Sequence, residues 1–281
     1  MNTIKNIEQV RRQVKTWKKE GYSIALVPTM GYLHEGHASL IRRAAKENQK
    51  VVVSIFVNPI QFGPNEDLAS YPRDLNKDTI LCEGAGAHLI FAPEPSEMYY
   101  NDVPTNVSVQ ELATGLCGAK RPGHFDGVCT VVSKLFNIVP ADKAYFGEKD
   151  AQQLAIIKRM VRDLNFDIEI IGCPIIREED GLAKSSRNTY LSSKERQAAL
   201  ILNESLSKGK DVLSSGEKSA QLLKDVIKKQ VESEVLAKID YIEVVDALSL
   251  TTVELISKPI LIAIAVYIGK TRLIDNFIWE V

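Results

Sequence analysis

The stretch "VVVSIFVNP" (residues 51–59) is apolar at consecutive positions, with no alternation. A strand of that kind buries both faces, which restricts it to a parallel sheet covered on two sides. Related runs recur at "SIALVPTM", "AHLIFAP", "KAYFG" and "FDIEIIGCPII". Between them the apolar period lengthens to that of helices. Ile7, Val10, Val14 and Trp17 stand at helical spacing, with Gly21 as the stop. Leu40, Ile41, Ala44 and Ala45 mark one face of "HASLIRRAAKENQ". "DLNKDTILCEGAG" reads as a short helix, residues 127–139 as another, and Leu154, Ile157, Val161 and Leu164 stripe a further one. This alternation predicts a doubly wound α/β domain. "TNVSV" (residues 105–109) reads as a short strand in an insertion.

Beyond residue 176 the texture changes. Two polar-rich helical stretches, residues 193–214 and 217–235, precede strands at "KIDYIEVVDA" and "PILIAIAVYIG". The expected organisation is therefore an α/β domain over residues 1–176 and a smaller α+β domain over residues 177–281, with an active-site loop and lid at the junction. "PILIAIAVYIG" is about half the length a membrane span needs and reads as a buried strand.

Composition closes off some function classes. Apolar residues make up 45% and charged residues 25%, which suits a packed globular chain rather than a disordered one. A net charge of −1 argues against binding nucleic acid by general attraction. The N-terminus has no apolar h-region of a secretory signal. Cys82, Cys117, Cys129 and Cys173 are scattered, without a C-x-x-C pair. They read as free thiols in a reducing cytoplasm.

Two of the four histidines, His34 and His37, fall in "VPTMGYLHEGH", between a strand and a helix start. In an open α/β sheet ligands bind at the carboxyl ends of strands, and a helix N-terminus there favours phosphate. Gly31 and Gly36 are expected to let backbone approach a ligand. Zinc competes as a reading, but H-E-G-H is one residue short of H-E-x-x-H, and an ordinary turn is the third possibility. "FGEKDAQQ" also follows a strand: Lys149 is a candidate for the same edge and Asp150 for a helix cap or a ribose partner. "DGLAKSSRN" gathers Lys184, Ser185, Ser186 and Arg187, a donor set for phosphate oxygens or a solvated basic loop. Asn58, Gln61 and Gln153 are neutral amides suited to hydroxyls and carboxylates. Three of these segments begin just after strands, so they are expected to share one crevice.

"PTMGYLHEGH", "FVNPIQFGPNEDLASYPRD", "RPGHFDGV", "YFGEKDAQQ" and "DGLAKSSRNTYLS" occur in one order along nearly the whole chain. In these segments the chain resembles the pantothenate synthetases (pantoate–β-alanine ligases). H-E-G-H corresponds to the H-I-G-H signature of nucleotidylyltransferases, and "KSSRN" to the K-M-S-K-S loop. Lys184 stands where the family usually has Met. The resemblance implies a Rossmann-like fold and ATP-dependent condensation of pantoate with β-alanine through a pantoyl-adenylate, releasing AMP and pyrophosphate. It implies ATP contacts at Met30, Gly31, Tyr32, Leu33, His34, Glu35, Gly36 and His37, with His37 donating to the departing phosphate. Gly147, Glu148, Lys149 and Asp150 would hold ribose and α-phosphate, Ile176 would meet adenine through its backbone, and Lys184, Ser185, Ser186 and Arg187 would close on the phosphates. The catalytic set is His34, His37 and Lys149. Gln61, Gln153 and Asn58 are implied for pantoate, and Gln61 also for β-alanine. The resemblance further implies a homodimer and magnesium accompanying ATP. Asp78 is a candidate magnesium ligand, with Glu66, Asp67 and Asp74 nearby. A plain nucleotidylyltransferase shares the histidine and serine motifs, but the paired glutamines favour a small polyhydroxy acid. Length and the lack of a basic extension disfavour a tRNA synthetase, and a bare binding module needs fewer cations and donors.

Overall fold

The computed structural model describes residues 1–64, 66–102 and 105–281. Asn65, inside the second of the five motif segments, lies outside them. Along the chain the elements are β1 (Asn2–Ile4), α1 (Ile7–Lys19), β2 (Ile24–Thr29), α2 (Glu35–Glu47), β3 (Lys50–Ile55), α3 (Leu75–Gly84), β4 (Leu89–Phe91), α4 (Pro95–Met98), α5 (Leu116–Lys120) and α6 (His124–Ile138). They continue with β5 (Lys143–Gly147), α7 (Ala151–Asp163), β6 (Glu169–Cys173), α8 (Ser193–Ala198), α9 (Ile201–Ser214), α10 (Ala220–Val231), β7 (Ala237–Asp246), β8 (Ile260–Ile268) and β9 (Thr271–Trp279).

Contacts divide the chain into two compact units. The first comprises residues 1–113, 118–148 and 153–174; the second comprises residues 114–117, 149–152 and 175–281. In the first unit β1 to β6 pair in the order β1-β4-β3-β2-β5-β6, every pair parallel. This is the Rossmann-like sheet. The consecutive apolar residues explain it. Ala25, Val27, Val51, Val53, Ile90 and Tyr145 face a layer containing Ala38, Ile41 and Ala44 of α2 and Cys82 of α3. The alternate residues Ile24, Leu26, Val52, Leu89 and Phe91 are just as buried, so both faces are covered. Connections leave β2 toward β3 and β4 on one side, then resume with β5 and β6 on the other. The strand order reverses between β2 and β5, the point where open α/β sheets form a crevice.

α2 is anchored at its far end. Asn48 donates to the Tyr145 hydroxyl at 2.7 Å, which donates to Glu47 at 2.8 Å. Arg43 donates to the Gly172 carbonyl at 2.8 Å, tying α2 to β6. The helix that opens the candidate site is therefore fixed by the sheet beneath it.

The segment read as the strand "TNVSV" is irregular coil. Its hydrogen bonds go to a helix side chain instead of a neighbouring strand: the Val107 N–H donates to Thr130 Oγ1, which donates to Asn106 Oδ1. Helix α6 begins at His124, earlier than its apolar stripe indicates, with Gly123 ahead of it at φ +79. The stretch expected as one helix over residues 193–214 is interrupted at Ala199 and Leu200. There Leu200 and Leu202 donate to carbonyls three residues back, to Gln197 and Ala199, a tighter turn than α.

In the second unit β7, β8 and β9 form an antiparallel sheet in that order. Leu202, Leu206 and Leu213 of α9 and Leu223, Ile227 and Val231 of α10 pack with Ile262, Ile264 and Val266 of β8. The run "PILIAIAVYIG" is thus the buried central strand. β9 escapes a sequence reading because Arg272, Asp275 and Asn276 interrupt its apolar pattern.

Candidate active site

The backbone after β2 turns sharply. Gly31 and Tyr32 both have left-handed φ, +82 and +50. Such a conformation strains a non-glycine residue by about 1–3 kcal/mol unless its surroundings hold it. Asp78 of α3 supplies the hold: its carboxylate accepts the Tyr32 N–H at 2.8 Å and the Leu33 N–H at 2.6 Å. Burial pushes the Asp78 carboxyl above its ordinary range, against those two hydrogen bonds, which favour the anion. A Cβ on Gly31 would sit 2.9 Å from Ile55 Cγ2 and 3.1 Å from Asp78 Oδ2. Gly31 is therefore required by the protein's own side chains, a tighter reason than room for a ligand.

The turn delivers His34 to the N-cap of α2. His34 Nδ1 accepts the Gly36 N–H at 3.1 Å, and His37 Nδ1 accepts the His34 N–H at 3.3 Å. The pair is a reciprocal cap built from two imidazoles. A backbone N–H only donates, so both Nδ1 atoms present lone pairs and both rings carry their proton on Nε2. The ring centroids are 4.1 Å apart. Two Nε2–H donors thus stand together at the positive end of a helix of 13 residues, an arrangement suited to phosphate oxygens.

The loop after β3, parallel neighbour of β2, brings Gln61 to the same edge. Gln61 lies at the end of a 3-10 turn, Pro59–Gln61, and its Nε2 reaches Met30 Sδ at 3.1 Å. Asn58 holds it: Asn58 Nδ2 donates to Gln61 Oε1 and to the Gly127 carbonyl, each at 3.0 Å. The Tyr99 hydroxyl donates to Asn58 Oδ1 at 2.8 Å, and burial keeps that phenol protonated. Asn58 is buried, and its amide faces Gln61 and the helix behind it. Gln153 lies half-buried in the first turn of α7. Gly147 ends β5 and Glu148 follows, beside the switch point of the sheet.

The remaining candidates belong to the second unit. Lys149 and Asp150 lie in the 3-10 turn Glu148–Asp150, and the Lys149 carbonyl accepts from Asn276 Nδ2 at 2.8 Å. "DGLAKSSRN" forms one arm of a hairpin. The Lys184 N–H donates to the Ile176 carbonyl at 2.9 Å, Arg177 pairs with Ala183, and Gly181 turns at φ +97. Arg177 clamps the hairpin to β9 through a two-pronged bond to buried Asp275, at 2.6 and 2.9 Å. Lys184 Nζ pairs with Glu178 Oε2 at 2.9 Å. Ser185 caps the following 3-10 turn, Ser186–Tyr190, accepting the Arg187 N–H at 3.3 Å.

Among the described residues no group of three or more His, Cys, Asp or Glu side chains gathers as a cation cage. Of the acids considered for magnesium, Asp78 holds the turn, Asp74 caps α3 and Glu66 pairs with Arg121. No local sequence signal marks the structural role of Asp78 at the Tyr32–Leu33 turn or the bond from Tyr99 to Asn58. Within "RPGHFDGV" the sequence alone gives no task to Arg121 or His124.

Comparison with known proteins identifies the family. A family model described as pantoate-beta-alanine ligase matches residues 2–278. The chain belongs to the pantoate-beta-alanine ligase family. It is 64% identical to the pantothenate synthetase of Clostridium acetobutylicum over 281 residues, covering 100% of both chains. Identity to the Enterococcus faecalis pantothenate synthetase is 65%, over 100% of this chain and 99% of that one. The crystal structure of pantothenate synthetase from Thermus thermophilus superposes with a TM-score of 0.94, at 42% identity and 99% coverage of each chain. The Francisella tularensis pantoate-beta-alanine ligase, solved with beta-gamma ATP and beta-alanine, gives a TM-score of 0.81 at 36% identity, covering 99% of this chain and 97% of that one.

Proposed function

We propose that this chain, a ligase by its family, condenses pantoate with β-alanine in two steps driven by ATP. A pantoate carboxylate oxygen attacks the α-phosphorus, and the bond to the β-phosphate breaks to release pyrophosphate. The β-alanine nitrogen then attacks the acyl carbon. AMP leaves with the electron pair of the C–O bond, the amine loses a proton, and pantothenate is formed.

The observation that carries this reading is the meeting of two different kinds of donor at one sheet edge. His34 and His37 offer paired Nε2–H groups at a helix N-terminus, and Gln61 stands against Met30 beside them. The first set suits the triphosphate; the neutral amide suits a small hydroxy acid. Negative charge develops on the departing pyrophosphate, and each positioned donor lowers such a barrier by about 3 kcal/mol. In this reading residues 30–37 follow the ATP phosphates, with His37 donating to the leaving group. Gly147, Glu148, Lys149 and Asp150 hold ribose and α-phosphate, and Ile176 meets adenine. Ser185, Ser186 and Arg187 bind phosphate, while Lys184 exchanges Glu178 for phosphate oxygens. Gln61 contacts pantoate and β-alanine, Gln153 contacts pantoate, and Asn58 holds Gln61 from behind.

Among the described residues no cluster of side chains forms a protein cage for magnesium. Mg2+ is proposed to arrive on the ATP phosphates and to keep water in much of its shell. A homodimer in the cytoplasm completes the proposal; no helix among the described residues is long and apolar enough to cross a membrane.

The decisive assay is exchange of labelled pyrophosphate into ATP, driven by pantoate without β-alanine. Adenylation of pantoate predicts exchange. Exchange that depends instead on a phosphorylated acceptor assigns the site to simple nucleotidyl transfer.

A further inference from the structure

The segment "RPGHFDGV" has no part in the mechanism above, yet it carries a continuous polar chain that ends on Gln61. Glu66 accepts two bonds from Arg121, from Nε and from the second guanidinium nitrogen, each at 2.6 Å. Arg121 Nη1 lies 2.9 Å from His124 Nε2, and His124 Nδ1 lies 2.8 Å from the Gln61 carbonyl. Both ends of the imidazole demand the same proton position. A guanidinium has donors only, so Nε2 must accept; a carbonyl has lone pairs only, so Nδ1 must donate. His124 is thereby fixed as the Nδ1–H tautomer, opposite to His34 and His37.

Packing sharpens the effect. A Cβ on Gly127, one turn further along α6, would lie 2.6 Å from Gln61 Cα and 2.7 Å from its nitrogen. The helix therefore lies directly on the turn, and the Gly127 carbonyl also receives Asn58. A sliding turn would lose all of these contacts together.

We propose that His124 is a positioning residue for Gln61 and that Arg121, held by Glu66, sets the tautomer that lets it act. The inference rests on the reading that Gln61 contacts substrate. Without the Nδ1–H bond the turn loosens and Gln61 no longer presents its amide at a fixed place. The effect falls on the KM of the substrates that Gln61 touches.

The test combines kinetics with nitrogen NMR on histidine-labelled protein, where four histidines give a readable spectrum. In the unaltered chain His124 is expected to show a protonated Nδ1; a protonated Nε2 overturns the proposal. His124→Ala is expected to raise the KM for pantoate about tenfold, the factor one lost hydrogen bond is worth, with the KM for ATP unmoved. His124→Asn places an amide donor where Nδ1 stood and should restore most of that loss. Arg121→Met should move His124 toward the other tautomer and raise the same KM. In a Gln61→Ala background, His124→Ala should add little, because both act at one point. Additive effects, or failure of Asn to rescue, overturn the positioning role. Arg121→Met that raises the KM for β-alanine alone and leaves the tautomer in place makes Arg121 a direct ligand and also overturns it. The underlying reading fails separately, if Gln61→Ala itself leaves the pantoate and β-alanine KM values unchanged.

Discussion

At the scale of single residues, this site depends on where protons and lone pairs are forced to be. His34 and His37 accept backbone N–H groups on Nδ1, so they turn Nε2–H donors outward from the cap. Nothing in the string H-E-G-H states this; it follows from the cap geometry. Gly31 is a second case. Its φ of +82 and the 2.9 Å gap to Ile55 leave no place for a methyl group. Gly31→Ala is expected to destabilise the chain by about 1–3 kcal/mol through strain in the left-handed region. It should lower turnover further, because the added carbon presses on Asp78, which holds the turn into His34. Thermal unfolding and pantoate-driven pyrophosphate exchange measured side by side check this. A variant with wild-type exchange would show that the turn is not tied to catalysis.

At the scale of elements, the sheet places the loops after β2 and β3 side by side, and α3 and α6 brace them from behind. Most of the first unit's elements were legible, because consecutive apolar strands and striped helices declare themselves locally. The misses have physical reasons. "TNVSV" has strand-like composition, but Thr130 takes its hydrogen bonds. β9 is a strand although buried Asp275 and Asn276 break its pattern; Asp275 is there to receive Arg177. The start of β3 offers a pH-dependent contact that pattern reading cannot see. The Val51 N–H donates to His88 Nδ1 at 3.2 Å, and partial desolvation of this surface side chain, helped by the charge of Lys50, pulls the His88 imidazole below its ordinary range. The unfolded chain therefore binds more protons at this group than the folded chain does, so stability rises with pH. The contribution is whole above the ordinary histidine range and is lost as pH falls through it toward the depressed value. The melting temperature is expected to drop between about pH 7.5 and about pH 5.5, and to drop less in His88→Phe, which has no group to protonate. Equal pH slopes for the two proteins would remove His88 as the cause.

At the scale of the whole molecule, association is decided by surfaces, and a chain's local patterns scarcely record them. The proposed homodimer is expected to appear in light scattering as a mass about twice that of the 31.2 kDa chain; a single-chain mass at working concentration removes it. The fold class, the junction of strand and helix at His34 and His37, and the family are legible along the chain, because period, caps and motif order are properties of neighbours in it. Which atom of each side chain is committed to which partner is settled by packing between segments. Asp78 went from metal candidate to anchor of a strained turn; Asn58 came to stand behind Gln61; Arg121 and His124 acquired a line to Gln61. The contacts of Asp78 with Tyr32, Asn58 with Gly127 and His124 with Gln61 join residues 46, 69 and 63 positions apart in the chain. Hydrogen bonds are settled within a few tenths of an ångström, and such distances exist only once distant segments have packed.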